Sequence, residues 1–345
     1  VNVAQLPPKV IRHFLTPNNI AAVQQITPGM SGAEIFRCAT TDGREFALKR
    51  WPDATQASRV QEVHWVQWQA RERGCSFVPQ LQHAALAGQV PKTFVEDAGK
   101  IWELSQWMPG APMPADAPLE LIQQGARAIG RFHAAVRQLK EEIRPQAPAL
   151  VSRLTRLSEL RVLLPRAIHS ETGLQFSLPL RETLKETSAL LSGSWDRVDQ
   201  RIARSLQQHL PIPARLQYVL RDIHRDHILF LDRNAEGLID FDAIRCDLPA
   251  TDLARWGGGF LLGRADPAPV WEAVVAGFSQ ASPFQSEQNL QQLTMLIRDL
   301  HFSSTWISLA NWAVWIRLES RTFPSGDHAI MARIEELCRL ARQEM

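Results

Sequence analysis

Apolar and polar residues alternate with a period of two in three short runs near the start of the chain: "NIAAVQQI", "AEIFRCAT" and "REFALKRW". Successive side chains of a strand point to opposite faces, so this alternation predicts strands. "TPGMSG" and "TTDG" separate the runs and are rich in turn formers, so residues 18–50 are expected to form an antiparallel meander. Over residues 55–73 the period changes. Val60, Val63 and Val66 recur at helical spacing, with Trp65 and Ala70 as further candidates, and Gly74 suits a helix stop. Strands are predicted again in "FVPQLQHAAL", "KTFVEDAG" and "KIWELSQWM", with "EDAG" as a hairpin turn.

The stretch "MPGAPMPADAP" is rich in proline and small residues, as a linker is. Beyond it the pattern turns helical. "LELIQQGARAIGRFHAAVRQL" is strongly amphipathic, and residues 145–215 hold further helical pieces broken by prolines. Two short strands, "HILFL" and "GLIDFD", joined by "DRNAE", interrupt them, and helix resumes after Asp252. No internal repeat or low-complexity tract is visible. A small β-rich part followed by a large helical part predicts an α+β fold of two lobes, residues 1–107 and 108–345.

A chain of 345 residues exceeds one ordinary domain, and 45% hydrophobic content is enough for a core. The net charge of +2 argues against a nucleic-acid partner held by bulk electrostatics. Arg153, Arg156 and Arg161 are expected on a solvated helix face. Cys38, Cys75, Cys246 and Cys338 stand far apart with no C-x-x-C pair, which argues against a zinc site and a disulfide framework and for a reducing compartment. The first residues, "VNVAQLPPKVIRHFL", do not read as a secretory signal, and no apolar stretch reaches the ~18 residues a membrane helix needs. A cytoplasmic protein without a membrane partner is expected.

The candidate chemistry gathers in "LQYVLRDIHRDHILFLDRNAEGLIDFDAIRCDLPATDLARW", Leu216–Trp256. Asp222 and Asp240 flank the predicted hairpin, whose strands return them to one end. Two converging carboxylates can bind a divalent cation, or divide the roles of base and metal ligand. Acidic hairpin ends are also common as solvated loops, so the pair alone leaves both readings open. Lys49 ends the apolar run "FALK", which follows "PGMSG". A strand lysine beneath a glycine-containing loop suits phosphate oxygens, although a strand-end lysine alone is ordinary.

Taken together, these residues resemble the protein-kinase-like fold, and specifically the aminoglycoside-phosphotransferase-like branch of small-molecule kinases, over residues 20–300. The resemblance implies that Gly29, Ser31 and Gly32 form the phosphate-covering turn. It makes Lys49 the phosphate-binding lysine and Glu62 its pairing glutamate, with Glu72 a weaker candidate. "WELSQWMPG" resembles the strand and hinge that contact adenine through backbone groups, which makes Glu103, Gln106 and Trp107 nucleotide-binding residues. His133 in "AIGRFHAAV" is implied to pack. In "LRDIHRDH", Asp222 takes the catalytic position and His224 that of a second histidine. Leu220 replaces the first histidine, and His227 stands where asparagine is usual. "IDFDAI" supplies Asp240 as the metal-binding aspartate with Asp242 beside it. Asp252 is implied to hold the catalytic loop through backbone bonds.

The implied cofactors are ATP and Mg2+, with Mn2+ as a substitute, and the implied activity is transfer of the γ-phosphate to a hydroxyl of a small molecule. Histidine offers a nitrogen where magnesium prefers oxygen. His227 therefore ligates a softer ion, orients Asp222, or marks a lost metal site. The last case gives a nucleotide-binding pseudokinase or scaffold. A protein Ser/Thr kinase is disfavoured, because almost no chain separates "DFD" from "DLPATDLA". Trp256, Phe260, Trp271, Phe278, Trp306, Trp312 and Trp315 are expected in helix cores. Arg255, Arg264, Arg298 and Arg317 argue against a polycationic acceptor and for a neutral, zwitterionic or anionic one. The sequence leaves the oligomeric state open.

Overall fold

The period-two runs become strands in a computed structural model of the protein, which describes residues 8–16, 19–26, 32–84, 92–170, 176–282, 287–321, 323 and 326–345. After the single turn α1 (Pro8–Ile11), strands β1 (Ile20–Gln25), β2 (Glu34–Thr40) and β3 (Glu45–Arg50) pair antiparallel in sequence order. Alternation decides their faces. Val23, Phe36, Cys38, Phe46 and Leu48 enter a core shared with Trp102 and Leu104, which leaves Ala47 and Lys49 on the other face of β3. Helix α2 (Ala57–Glu72) buries Val60, Val63, Val66 and Ala70, and with them His64 and Gln67. Strands β4 (Phe94–Asp97) and β5 (Lys100–Gln106) form the expected hairpin. Its turn residues Ala98 and Gly99 both have positive φ, 49° and 73°, as a tight hairpin between right-twisted strands demands. The sheet order is β1-β2-β3-β5-β4. The described part of "FVPQLQHAAL" holds only isolated bridges, Leu81 to Ser105 and Ala84 to Lys92. Pro79 cannot donate to a ladder.

The chain continues through α3 (Leu119–Val136), β6 (Glu142–Arg144), α4 (Pro148–Ile168), α5 (Leu178–Gln207), β7 (Ala214–Val219), β8 (Ile228–Leu231) and β9 (Asn234–Leu238). It ends with β10 (Arg245–Asp247), α6 (Ala250–Gly258), α7 (Ala268–Ala281), α8 (Glu287–Arg317) and α9 (Gly326–Gln343). The three-stranded sheet β10-β7-β6 was not legible in the sequence. Two of its strands are only three residues long, too short to show a period. The β8–β9 turn is tighter than expected. Asp232 and Arg233 alone carry the positive φ values of 46° and 72°, so Asn234 to Glu236 belong to the strand.

By its contacts the chain forms two compact units, Val1–Ala111 with His227–Asp242, and Pro112–Asp226 with Ala243–Met345. The sequence pattern puts the change at 107/108 and the hairpin with the helices, and the contacts divide the chain differently. The hairpin joins the first unit because Ala111 and Phe230 exchange backbone bonds of 3.0 and 2.8 Å, and Leu238 N–H donates to Phe77 O at 2.7 Å. Gly110 makes this approach possible. Its φ is 95°, and a Cβ there would lie 2.6 Å from Phe230 O.

Within the second unit α3 and α7 touch through small residues; a Cβ on Gly277 would lie 2.1 Å from Gln123 O. Trp256 packs over Gly125 and donates its indole N–H to Ile122 O at 2.9 Å. Trp256, Phe260, Trp271, Phe278, Trp306 and Trp312 are buried, as expected of core, whereas Trp315 is only partly buried. Of the α4 arginines, Arg161 is exposed as expected, whereas Arg153 and Arg156 turn inward. Arg153 donates to Ala149 O and to Ser304 Oγ, both at 2.9 Å, Arg156 to Asn311 Oδ1 at 2.7 Å, and Arg161 to Asp199. They tie α4 to α8 and α5. Among the described residues no helix is long and apolar enough to cross a membrane. All four cysteines are free.

Candidate active site

In the first unit the sheet and the β8–β9 hairpin enclose a cavity of about 290 Å³. Ile26, Ile35 and Ala47 line it from the sheet, Leu229 and Ile239 from the hairpin side, and Met108 closes it after β5. These walls are apolar. One end is charged, lined by Lys49, Glu103, His227, Asp240 and Asp242.

Lys49 reaches this end because it leaves β3 on the face opposite Leu48. Its ammonium is ion-paired with Asp242, stands 4.0 Å from Asp240 Oδ1, and lies 4.6 Å from the centre of the Trp51 ring. Burial works against the lysine's charge, but Asp242, Glu103 and Asp240 outweigh it and raise the pKa. Asp242 moves the other way from a normal carboxylate. Burial pushes it up to about 6 against the pull of Lys49, with Asp240 and Glu103 adding repulsion. Asp240 follows the end of β9 with a φ of 63°, a left-handed conformation that aspartate tolerates better than most residues. His227 Nε2 lies 3.5 Å from Asp240 Oδ2.

Three carboxylates therefore face one ammonium. That negative surplus, with oxygen donors on Asp240 and Asp242, fits a divalent cation. Lys49 stands against both aspartates, and no three histidine, cysteine, aspartate or glutamate groups converge as a ready-made metal cage among the described residues.

Several expected roles fall elsewhere. Glu62 is paired with Arg59, whose guanidinium also donates to Asp242 O at 2.7 Å. The ionic partners of Lys49 are Asp242 and Asp240, so the expected Lys49–Glu62 pair is not made. Glu72 is exposed. Glu103 sits mid-strand between β3 and β4, and its carboxylate turns into the unit. The amides of Gln106 and Trp107 donate to Gln80 O and Glu45 O. Met108 carries the first amide after them with no backbone acceptor among the described residues, and it lines the cavity. The sequence signal for it was Pro109, where ladder pairing must stop. Gly32 has the φ of 78° that a tight turn requires of glycine. Gly29 and Ser31 lie outside the described residues.

In the second unit, Asp252 organises the segment that carries Asp222. Its side chain is fully buried. It accepts the amides of Leu220 and Arg221 and bonds His133 Nε2, each at 2.7 Å. The packing histidine is thus also a hydrogen-bond partner. Arg221 has a φ of 66°, a strained conformation that these two amide bonds hold in place. Asp252→Ala would strand these donors, and we expect a loss of about 3–5 kcal/mol in denaturant unfolding, with Asp252→Asn losing less.

Asp222 is ion-paired with Arg255 of α6. Nearby, Arg221 Nε lies 3.9 Å from the buried Asp247. Burial, and then the charges of Arg255 and Arg221, push Arg153 down to about 10, with Asp247 opposing. Three arginines thus share two carboxylates. Arg264 and Arg317 are committed to backbone, donating to Ala117 O and Phe260 O and to Ser170 O. Of the arginines taken to shape the acceptor site, Arg255 is the one tied to Asp222.

The fold is protein-kinase-like, an antiparallel sheet with a charged-ended cavity in one unit and an aspartate-bearing loop among helices in the other. Residues 23–288 match the phosphotransferase enzyme family (APH), and the chain belongs to that family. Similar solved structures include an aminoglycoside phosphotransferase from Alicyclobacillus acidocaldarius, at 17% identity over 100% of this chain and 97% of that one, with a TM-score of 0.60. An ethanolamine kinase from Plasmodium vivax matches at 12% identity over 97% and 87%, TM-score 0.57. The amicoumacin kinase hAmiN, in complex with AMP-PNP, Ca2+ and Ami, matches at 13% over 95% and 89%, TM-score 0.56. No protein of curated function matches the chain. The protein is a phosphotransferase.

Proposed function

We propose that the protein transfers the γ-phosphate of ATP to a hydroxyl of an anionic or zwitterionic small molecule. The observation that carries this reading is the gathering of Lys49, Asp240 and Asp242 at the charged end of an otherwise apolar cavity. An aromatic base suits the apolar walls, with the Met108 amide as a donor to its edge. Phosphates suit Lys49. The relatives solved with AMP-PNP and with ADP support nucleotide use. Asp240 and Asp242, with His227, would hold a divalent cation, which when bound neutralises phosphate charge. Asp222 takes the catalytic role, accepting the proton of the acceptor hydroxyl. The arginine surplus around Asp222 favours an acceptor that carries a negative charge.

An imidazole among the metal donors favours a softer ion than magnesium. Turnover is therefore expected to be faster with Mn2+ than with Mg2+, and His227→Asn is expected to reverse that order. Equal metal preference in both proteins would remove His227 from the metal site. The overall reading is tested by ATP consumption against a panel of hydroxyl compounds bearing carboxylate, phosphate, ammonium or no charge. Turnover confined to polyamines would contradict the acceptor class, and no turnover with any compound would contradict the activity.

A further inference from the structure

Arg153 is a partly buried cation to which no carboxylate bonds among the described residues. It leaves α4 toward α8, and its guanidinium donates to Ala149 O and Ser304 Oγ, both at 2.9 Å. Both acceptors are neutral. Ala149 links it to Asp247, because the Ala149 amide donates to Asp247 Oδ1 at 3.0 Å. Asp247 is committed elsewhere. It is 1% exposed, the same oxygen takes the Leu248 amide at 2.9 Å, and its other oxygen faces Arg221 Nε at 3.9 Å. A charge drawn out of water without an opposite charge is costly. Burial, and then Arg255 and Arg221, act against the charge of Arg153.

Helix α6 supplies Arg255. Asp252 and Arg255 stand one turn apart on it and share a face. Asp252 fixes the amides of Leu220 and Arg221, and Arg255 pairs with the next residue, Asp222. The side chains of that pair are 35% and 46% exposed, so a solute can reach them. Arg153, Arg221 and Arg255 against Asp222 and Asp247 leave a surplus of one positive charge. A carboxylate brings one negative charge, whereas a phosphate ester brings about 1.5–2. A carboxylate also fits the planar fork of a guanidinium with both oxygens. It would compete with Asp222 for Arg255 on equal chemical terms.

We propose that Arg153 and Arg255 take the carboxylate of a hydroxy-acid acceptor, Arg153 as its standing receptor and Arg255 by leaving Asp222. The carboxylate of the acceptor thereby frees the oxygen that receives its own hydroxyl proton. In the transfer the acceptor oxygen bonds the γ-phosphorus and the bond to the bridging β-phosphate oxygen breaks. Asp222 takes the hydroxyl proton, and ADP and a phosphorylated hydroxy acid result. This catalytic part rests on the phosphotransfer reading above, whereas the carboxylate site does not. A neutral alcohol leaves Arg255 on Asp222 and gains nothing from Arg153.

The test gives the full chain ATP and paired acceptors: glycerate, serine and hydroxybutyrate, each beside its amide, with glycerol phosphate as the phosphorylated case. Each amide keeps the hydroxyl and loses the carboxylate. In the wild type kcat/KM is expected to be about a hundredfold higher for the carboxylate of a pair, the scale of charge-assisted bonds. Arg153→Met keeps the stem and should erase that ratio by slowing carboxylates alone, whereas lost packing of α4 would slow both members. Arg153→Lys, which lacks the fork, should narrow the same ratio if the Met variant does not fold. Arg255→Gln should slow the carboxylate and speed the amide, each about tenfold. An unchanged ratio in either position's variant, or turnover confined to amides or glycerol phosphate, overturns the proposal. Binding is read without ATP. The carboxylates and not the amides should raise the thermal midpoint of the wild type, and should leave that of Arg153→Met unmoved. No rise with any carboxylate overturns the site. The expected rise with no ATP turnover on any compound overturns the phosphotransfer reading instead.

Discussion

Asp222→Asn is expected to lower turnover by a factor of about 10²–10⁴, the range that a positioned general base contributes. The substitution is nearly isosteric, and Asp222 is about half exposed, with its side chain at 46%, so folding should be unaffected. Asparagine can still accept a hydrogen bond from Arg255, but it cannot take a proton from an acceptor hydroxyl. Nucleotide affinity should stay within a factor of about two, because the cavity residues that line the other unit are untouched. The measurement is steady-state turnover beside nucleotide binding. Preserved turnover, or a loss of turnover that merely follows lost nucleotide binding, would contradict the role given to Asp222.

Lys49→Met should do two things at once. It removes the cation proposed to hold phosphate oxygens, and kcat/KM is expected to fall about a hundredfold or more, as it does when a charge stabiliser of a transition state is lost. It also leaves Asp240 and Asp242 facing one another without the ammonium that stands against both. Breaking a buried pair by removing one partner typically costs about 3–5 kcal/mol. The sign of the pH dependence follows from Asp242, whose pKa is raised to about 6 from 3.8. A carboxylate with a raised folded pKa binds its proton more tightly folded than unfolded. The stability from that proton is complete below about 3.8 and disappears as pH rises through about 6. Without Lys49 the folded pKa moves higher still. The deficit of Lys49→Met against wild type should therefore be largest at pH 8 and shrink toward pH 5, measured by thermal unfolding. A deficit that grows as the pH falls would contradict the charge balance described.

The strands of the first sheet and the long helices were legible because burial on one face imposes a period, and Ala98–Gly99 was legible because few residues tolerate that turn. The sheet of β6, β7 and β10 was not, since short strands carry no period and Ala214–Val219 is buried at nearly every position. Asp240, Asp242 and Lys49 were visible as residues out of place in apolar runs, and the structure brings them together. Asp252 was legible too, and its bonds to Leu220 and Arg221 are those the resemblance implied. What the sequence could not show was partner choice. Glu62 and Glu103 are both glutamates near Lys49, and only the cross-strand register puts Glu103 opposite it. The register likewise committed the Gln106 and Trp107 amides and left that of Met108. Arg153 read as surface because helical charge runs usually are, whereas here it is drawn inward to Ala149 O and Ser304.

The central claim is that the cavity of the first unit binds a nucleotide together with a divalent metal. The most direct measurement is a thermal-shift titration of the whole protein with ATP, with and without Mg2+ or Mn2+, beside Asp240→Ala. A ligand that binds only the folded state at a hundred times its Kd stabilises by about 2.7 kcal/mol, enough to raise the midpoint by a few degrees. The account expects a rise that needs the metal and is lost in Asp240→Ala. An unchanged midpoint with every nucleotide and metal at millimolar concentration, or a rise that survives in Asp240→Ala, would contradict it.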